Sequence, residues 1–124
     1  MESNPSSLIE ASRVRDTAVF NTAGEKLGAV HDLMIDKRTG QTVYAVVSFG
    51  GFLGIGENYF PIPWAKLKYD PTLGGYVTDI EMGQLEGAPA YAAGASPRWG
   101  DPGYEEELHR FYGAAPYWAN PIVP

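Results

Sequence analysis

The stretch Gln41–Phe49 reads Gln-Thr-Val-Tyr-Ala-Val-Val-Ser-Phe and constrains the fold more than any other part of the chain. Its β-branched and aromatic side chains lose rotamer freedom in a helix and pack well on a pleated surface. In an extended strand Val43, Ala45, Val47 and Phe49 share one face, and Tyr44 and Val46 occupy the other. Both faces are apolar, so this strand is expected to be central, with the rest of the chain built around it.

The flanking segments supply strands of the same kind. Thr17–Phe20 and Lys26–Val30 bracket Asn-Thr-Ala-Gly-Glu, whose Gly24 suits a tight turn, and together they read as a hairpin. Leu8–Val14 holds a helical turn before it. Val30–Asp36 alternates, with Leu33 and Ile35 expected to face the core. Lys37–Gly40 is a turn and Gly50–Gly56 a glycine-rich loop. Glu57–Trp64 carries Pro61 and Pro63, which cannot donate to a ladder, so that strand is expected at an edge or to end early. Ala65–Tyr69, the turn Asp70–Gly75 and the last strand Tyr76–Ile80 complete the set. Five or six short strands separated by glycine turns indicate a mainly β fold, a small antiparallel β-barrel.

A chain of 124 residues has room for one such core and not for two. Hydrophobic residues at 44% and charged residues at 19% describe a chain that folds. Cysteine is absent, which excludes disulfides and thiol chemistry and suits a reducing, cytoplasmic setting. Met1–Ser7 has neither the basic cluster nor the apolar core of a signal peptide and reads as a loose N-terminus. Gln41–Ile55 is too short and too rich in glycine to cross a bilayer as a helix, so no membrane insertion is expected. The net charge is −6 and the nine basic residues are scattered. Nucleic acid and anionic membranes, which need clustered cations, are not expected partners.

The barrel is expected over 8–85, followed by a different composition at 86–124. Six of the ten prolines fall there, with Trp99, Trp118 and four tyrosines. Within it, Asp101-Pro-Gly-Tyr-Glu-Glu-Glu-Leu-His-Arg-Phe-Tyr-Gly113 carries an N-cap aspartate, a proline at the first turn, early acids, a late arginine and a terminal glycine. A helix is expected at about 102–112, with Tyr104, Leu108 and Phe111 as a narrow apolar stripe. Three turns are marginal alone in water, so the helix needs a surface to pack on. Its own barrel, a second copy and another protein are all open as that surface.

Sites for chemistry are sparse. Gly50–Gly56 lacks both the dinucleotide fingerprint and the Lys-Ser or Lys-Thr of a P-loop, and reads as a hairpin loop. His31 and Asp32 point to opposite faces of a strand, the wrong arrangement for an oriented acid–base pair. Glu105 and His109 stand one helical turn apart, where two ligands do not make a metal site and an ordinary surface pair is expected. Asp32, Asp36, Asp70 and Asp79 would need a common cleft to act as paired carboxylates. No nucleophile motif is present. No catalytic, metal or cofactor residues are therefore assigned, and no cofactor is expected. The candidate interaction surface is aromatic and aliphatic: Phe52, Leu53, Ile55, Tyr59 and Trp64 around the glycine loop, and Tyr104, Leu108, Phe111, Tyr117 and Trp118 in the extension.

Asn21-Thr-Ala-Gly-Glu-Lys-Leu-Gly28, Leu33-Met-Ile-Asp36 with Gly40, Ser48-Phe-Gly-Gly-Phe-Leu-Gly-Ile-Gly56, Pro63-Trp64 and Tyr69-Asp70 together resemble a PRC-barrel domain over about residues 7 to 85. Similar barrels occur in the cytoplasmic part of the photosynthetic reaction centre H subunit, in a ribosome maturation factor and in small stand-alone bacterial proteins. The chain is most similar to the stand-alone group. The resemblance implies a non-enzymatic protein-binding or adaptor module, expected to form a homodimer or to dock on a larger assembly. The alternatives are a small-ligand or cofactor-binding barrel and an enzyme built on clustered carboxylates.

Overall fold

A computed structural model describes residues 7–50 and 58–119. A helical turn, α1 (Ala11–Val14), precedes β1 (Ala18–Phe20), β2 (Lys26–Ile35), β3 (Thr42–Phe49) and β4 (Asn58–Pro63). A 3₁₀ turn at Trp64–Lys66 leads to β5 (Lys68–Asp70) and β6 (Gly75–Val77). The extension adds a 3₁₀ turn (Met82–Gly87), β7 (Tyr91–Ala92), the helix α2 (Pro102–Tyr112) and a last 3₁₀ turn (Tyr117–Ala119).

One sheet contains all seven strands in the order β5-β6-β1-β2-β3-β4-β7. β3 lies between β2 and β4, and Val43–Val47 are buried on both faces of it, as the doubly apolar sequence demands. The expected architecture needs two corrections. First, β1 and β6 run parallel, with Val19 opposite Tyr76, so the sheet is mixed. After β4 the chain crosses over through Trp64–Lys66, and the β5–β6 hairpin returns to the far edge beside β1. Second, hydrogen bonds among the described residues leave β5 and β7 as edges and do not close the sheet into a barrel.

The β1–β2 turn is held by Asn21, whose Oδ1 accepts from the Ala23 and Glu25 amides at 2.9 Å each. Gly28 faces the β3 backbone so closely that a Cβ there would collide with the Ser48 carbonyl oxygen and meet the Phe49 Cα at 2.9 Å. Further along β2, a bulge between Val30 and Asp32 resets the alternation. Val30 is buried, Leu33 only half-buried, and Ile35 is 45% exposed instead of facing the core. That first shift returns Leu33, opposite Ala45, to the face of Val30, and a second shift between Met34 and Ile35 breaks the alternation at Ile35 itself.

β4 also departs from a simple edge. β7 pairs with its first residues, Asn58 and Tyr59, and α2 packs against the strand. Pro61 and Pro63 are fully buried, and having no N–H they leave no donor unsatisfied. The extension is thus packed in cis. Leu108 and Tyr112 of α2 share one core with Val19, Val47, Phe60 and Ile62, and Leu85 adds to it from the preceding turn.

The helix is capped at both ends. Asp101 accepts from the Gly103 amide at 3.0 Å, and Pro102 fills the first position. Gly113 adopts φ 66°, which lets the Ala114 amide reach the His109 carbonyl at 3.0 Å and its own reach that of Arg110 at 3.3 Å. The chain then turns back beneath the last turn of the helix.

Candidate functional site

The buried face of α2 is wider than the stripe Tyr104, Leu108 and Phe111. Leu108, His109 and Tyr112 are the buried residues, while Tyr104 and Phe111 are half-buried against the core. His109 is the residue least legible in the sequence, because a histidine beside an acid one turn away reads as a surface pair. The residue is 5% exposed.

Around that ring the helix, the sheet and the return segment meet. Tyr44, fully buried on β3, donates its hydroxyl proton to Glu105 Oε1 at 2.7 Å, and the Tyr44 hydroxyl oxygen lies 2.9 Å from His109 Nε2. Tyr117 donates to the same Glu105 oxygen at 2.8 Å. His109 Nδ1 lies 3.2 Å from the Ala114 carbonyl. Trp99 stacks on Tyr44 at 5.6 Å, and Trp118 stands edge-on to His109 at 5.2 Å. Four polar side chains are therefore tied into one network beneath an aromatic cover.

The electrostatics follow from burial and from the Glu105 carboxylate. Burial, and then the bond to Glu105, push the Tyr44 phenol far above the usual tyrosine range. The same two causes raise Tyr117 to about 12, and burial raises Tyr104 to about 12. Burial lowers His109 below the usual histidine range, against the pull of the Ala114 carbonyl and of Glu105. Both ring nitrogens of His109 are engaged, so Glu105 and His109 form a structural pair, and among the described residues no three His, Cys, Asp or Glu side chains gather as a metal site would require.

The other expected surface residues are placed as follows. Phe52, Leu53 and Ile55 lie outside the described residues. Tyr59 stacks face to face on His31 at 4.0 Å and lies 5.6 Å from Tyr91. Trp64 packs edge-on against Tyr76 and is half-buried. Leu108, Tyr104, Phe111 and Tyr117 are committed to the interior or its margin, and Trp118 stays 45% exposed. Sequence reasoning missed Tyr69, 58% exposed on the edge strand β5; only its place on an edge marks it.

The four aspartates serve local structure. Asp32 accepts from the Leu33 amide, Asp36 and Asp70 cap the turns that follow them, and Asp79 pairs with Lys66 at 3.1 Å. An open groove of about 450 Å³ lies at the C-terminal end of α2, lined by Glu106, His109, Arg110, Ala114, Pro116 and Trp118. No helix among the described residues is long and apolar enough to cross a membrane.

A mixed sheet of short strands with a helix docked on it defines a small β module. A family model for the PRC-barrel domain matches residues 7–80, more than half of the chain, and the chain belongs to that family. No curated protein matches it.

Proposed function

We propose that the chain is a non-enzymatic, cytoplasmic protein-binding module that self-associates as a dimer or docks on a larger assembly through the apolar side chains left outside once the extension has packed in cis. The strands form the wall of a small PRC-type barrel in this reading. The observation that carries it is the exposure of large apolar side chains on ordered structure: Tyr69 at 58% on an edge strand, with Trp118 and Ile35 at 45% each. Aromatic anchors of this kind contribute most of the energy in protein interfaces. The local duties of the four aspartates support a non-catalytic role.

The open groove beside Trp118 favours a second reading, a small-ligand binder, since its volume is above the roughly 300 Å³ at which ligand sites begin. Sedimentation velocity over a range of concentrations separates the two. Binding through the exposed aromatics predicts a concentration-dependent dimer that Trp118→Ala or Tyr69→Ala weakens. A monomer at every concentration, unaltered by either change, counts against self-association.

A further inference from the structure

β5 ends the sheet, and its outer side pairs with no strand among the described residues. Asp70 turns its carbonyl inward, where it accepts from the Gly74 amide at 2.8 Å. Across the hairpin, Thr78 donates its amide to the Phe20 carbonyl of β1 at 3.0 Å, so Tyr76, two residues earlier, also turns its peptide groups toward β1. Tyr69 and Tyr76 are therefore an opposed pair that exchanges no hydrogen bonds, and Tyr69 presents its N–H and C=O to the open edge.

The side chains of the strand alternate about that residue. Tyr69, 58% exposed, packs edge-on against Tyr76 at 5.5 Å, and Tyr76 against Trp64 at 5.4 Å, so a row of rings ends in water. Lys68 and Asp70 stand on the opposite face of the strand. Lys66 is held by Asp79 at 3.1 Å, whereas Lys68 forms no ion pair among the described residues. Asp70 uses Oδ1 for the Thr72 and Leu73 amides, with Oδ2 outside those bonds.

We propose that β5 is the seam of a two-fold dimer: the open edge is filled by β5 of a second copy, paired antiparallel about Tyr69. The inference rests on the self-association reading above and gives it a strand and a register. Centred there, Tyr69 exchanges both its backbone hydrogen bonds with the partner's Tyr69, and the two aromatic rows join. Lys68 then faces the partner's Asp70, and the symmetry axis repeats that pair. A lysine on an edge strand ordinarily deters pairing, because like edges repel. The order Lys-Tyr-Asp cancels the deterrent in this antiparallel register. The other edge, β7, offers Tyr91 and Ala92 and no charge to set a register. Three residues make a short seam, so the dimer is weak and concentration-dependent.

Sedimentation velocity of the full chain at low salt, from about 1 μM to about 1 mM, tests this with wild type, Lys68→Glu, Asp70→Lys and an equal mixture of the two variants. Lys68→Glu sets acid against acid at both ends of the seam and is expected to weaken the dimer at least about tenfold. Tm should not fall, since Lys68 is exposed. Asp70→Lys does the same with two lysines, and the mixture restores association because each variant meets opposite charge in the other. Asp70 also caps its turn, so NMR of the wild type over the same concentrations gives a reading without that variant. The Tyr69 amide is expected to shift as the dimer forms, and the Trp118 ring is not. A dimer that Lys68→Glu leaves unweakened, a mixture of folded variants that stays monomeric, or a dimer that moves Trp118 and not Tyr69 overturns the β5 seam while self-association stands. A monomer at every concentration overturns both.

Discussion

Replacing Tyr44 with phenylalanine removes one oxygen from the centre of the network and leaves the ring that stacks on Trp99. That oxygen is within hydrogen-bonding distance of Glu105 at 2.7 Å and His109 at 2.9 Å, on a residue that is 1% exposed. A hydrogen bond to a charged group contributes about 1.5–3 kcal/mol. Glu105 is half-buried and retains its bond from Tyr117, which places the loss near the lower part of that range, at about 2 kcal/mol. An unfolding entropy of about 2.1 cal/mol/K per residue makes that a fall in Tm of roughly 8 °C for a chain of this size. Urea unfolding followed by tryptophan fluorescence measures it, and an unchanged m-value shows that the folded state is intact. A cycle with His109→Gln should give a coupling of at least about 0.5 kcal/mol, because the two side chains share one proton path. A Tyr44→Phe loss below about 0.5 kcal/mol would show that the network contributes nothing to holding the helix and would refute the reasoning.

Three further outcomes follow from individual residues. Leu108→Ala empties a fully buried position and should cost about 2–5 kcal/mol in the same assay; a loss under about 1 kcal/mol would mean that α2 does not complete the core. Gly28→Ala drives a methyl into the Ser48 carbonyl and should cost about 1–3 kcal/mol by overpacking, whereas an unchanged Tm would show that β2 and β3 do not approach as described. At alkaline pH the raised Tyr44, Tyr104, Tyr112 and Tyr117 oppose ionisation in the folded state. Stability is thus full below the ordinary tyrosine value of about 10 and is lost above it, so phenolate absorbance should rise together with unfolding. Full titration of all tyrosines near their ordinary value with the fold intact would contradict the burial of these phenols.

What the sequence reveals here depends on how local the cause is. β3 is legible because its own side chains are apolar on both faces, and α2 because Asp101, Pro102 and Gly113 mark its ends within a few residues. The parallel pairing of β1 with β6 is not legible, since Val19 and Tyr76 are brought together only by the crossover after β4. β7 is two residues long and exists because β4 offers it a partner at Asn58 and Tyr59. The register shift between Met34 and Ile35 leaves no mark in the alternation of β2, so Ile35 reads as core and is found at the surface. His109 is hidden for a related reason. A histidine at i+4 from a glutamate is ordinary on a helix surface, and only the position of Tyr44, 65 residues away, makes it an interior group.

The docking of the extension on the sheet decides which surface is free to bind anything, and hydrogen exchange at neutral pH on the full chain tests it most directly. If Leu108–Tyr112 are sealed against β3 and β4, their amides exchange slowly, with protection approaching that of Ala45–Val47 in the central strand. Exchange of those helix amides at the rate of an unstructured peptide, while β3 remains protected, would contradict the docking and return Tyr104, Leu108 and Phe111 to the exposed surface.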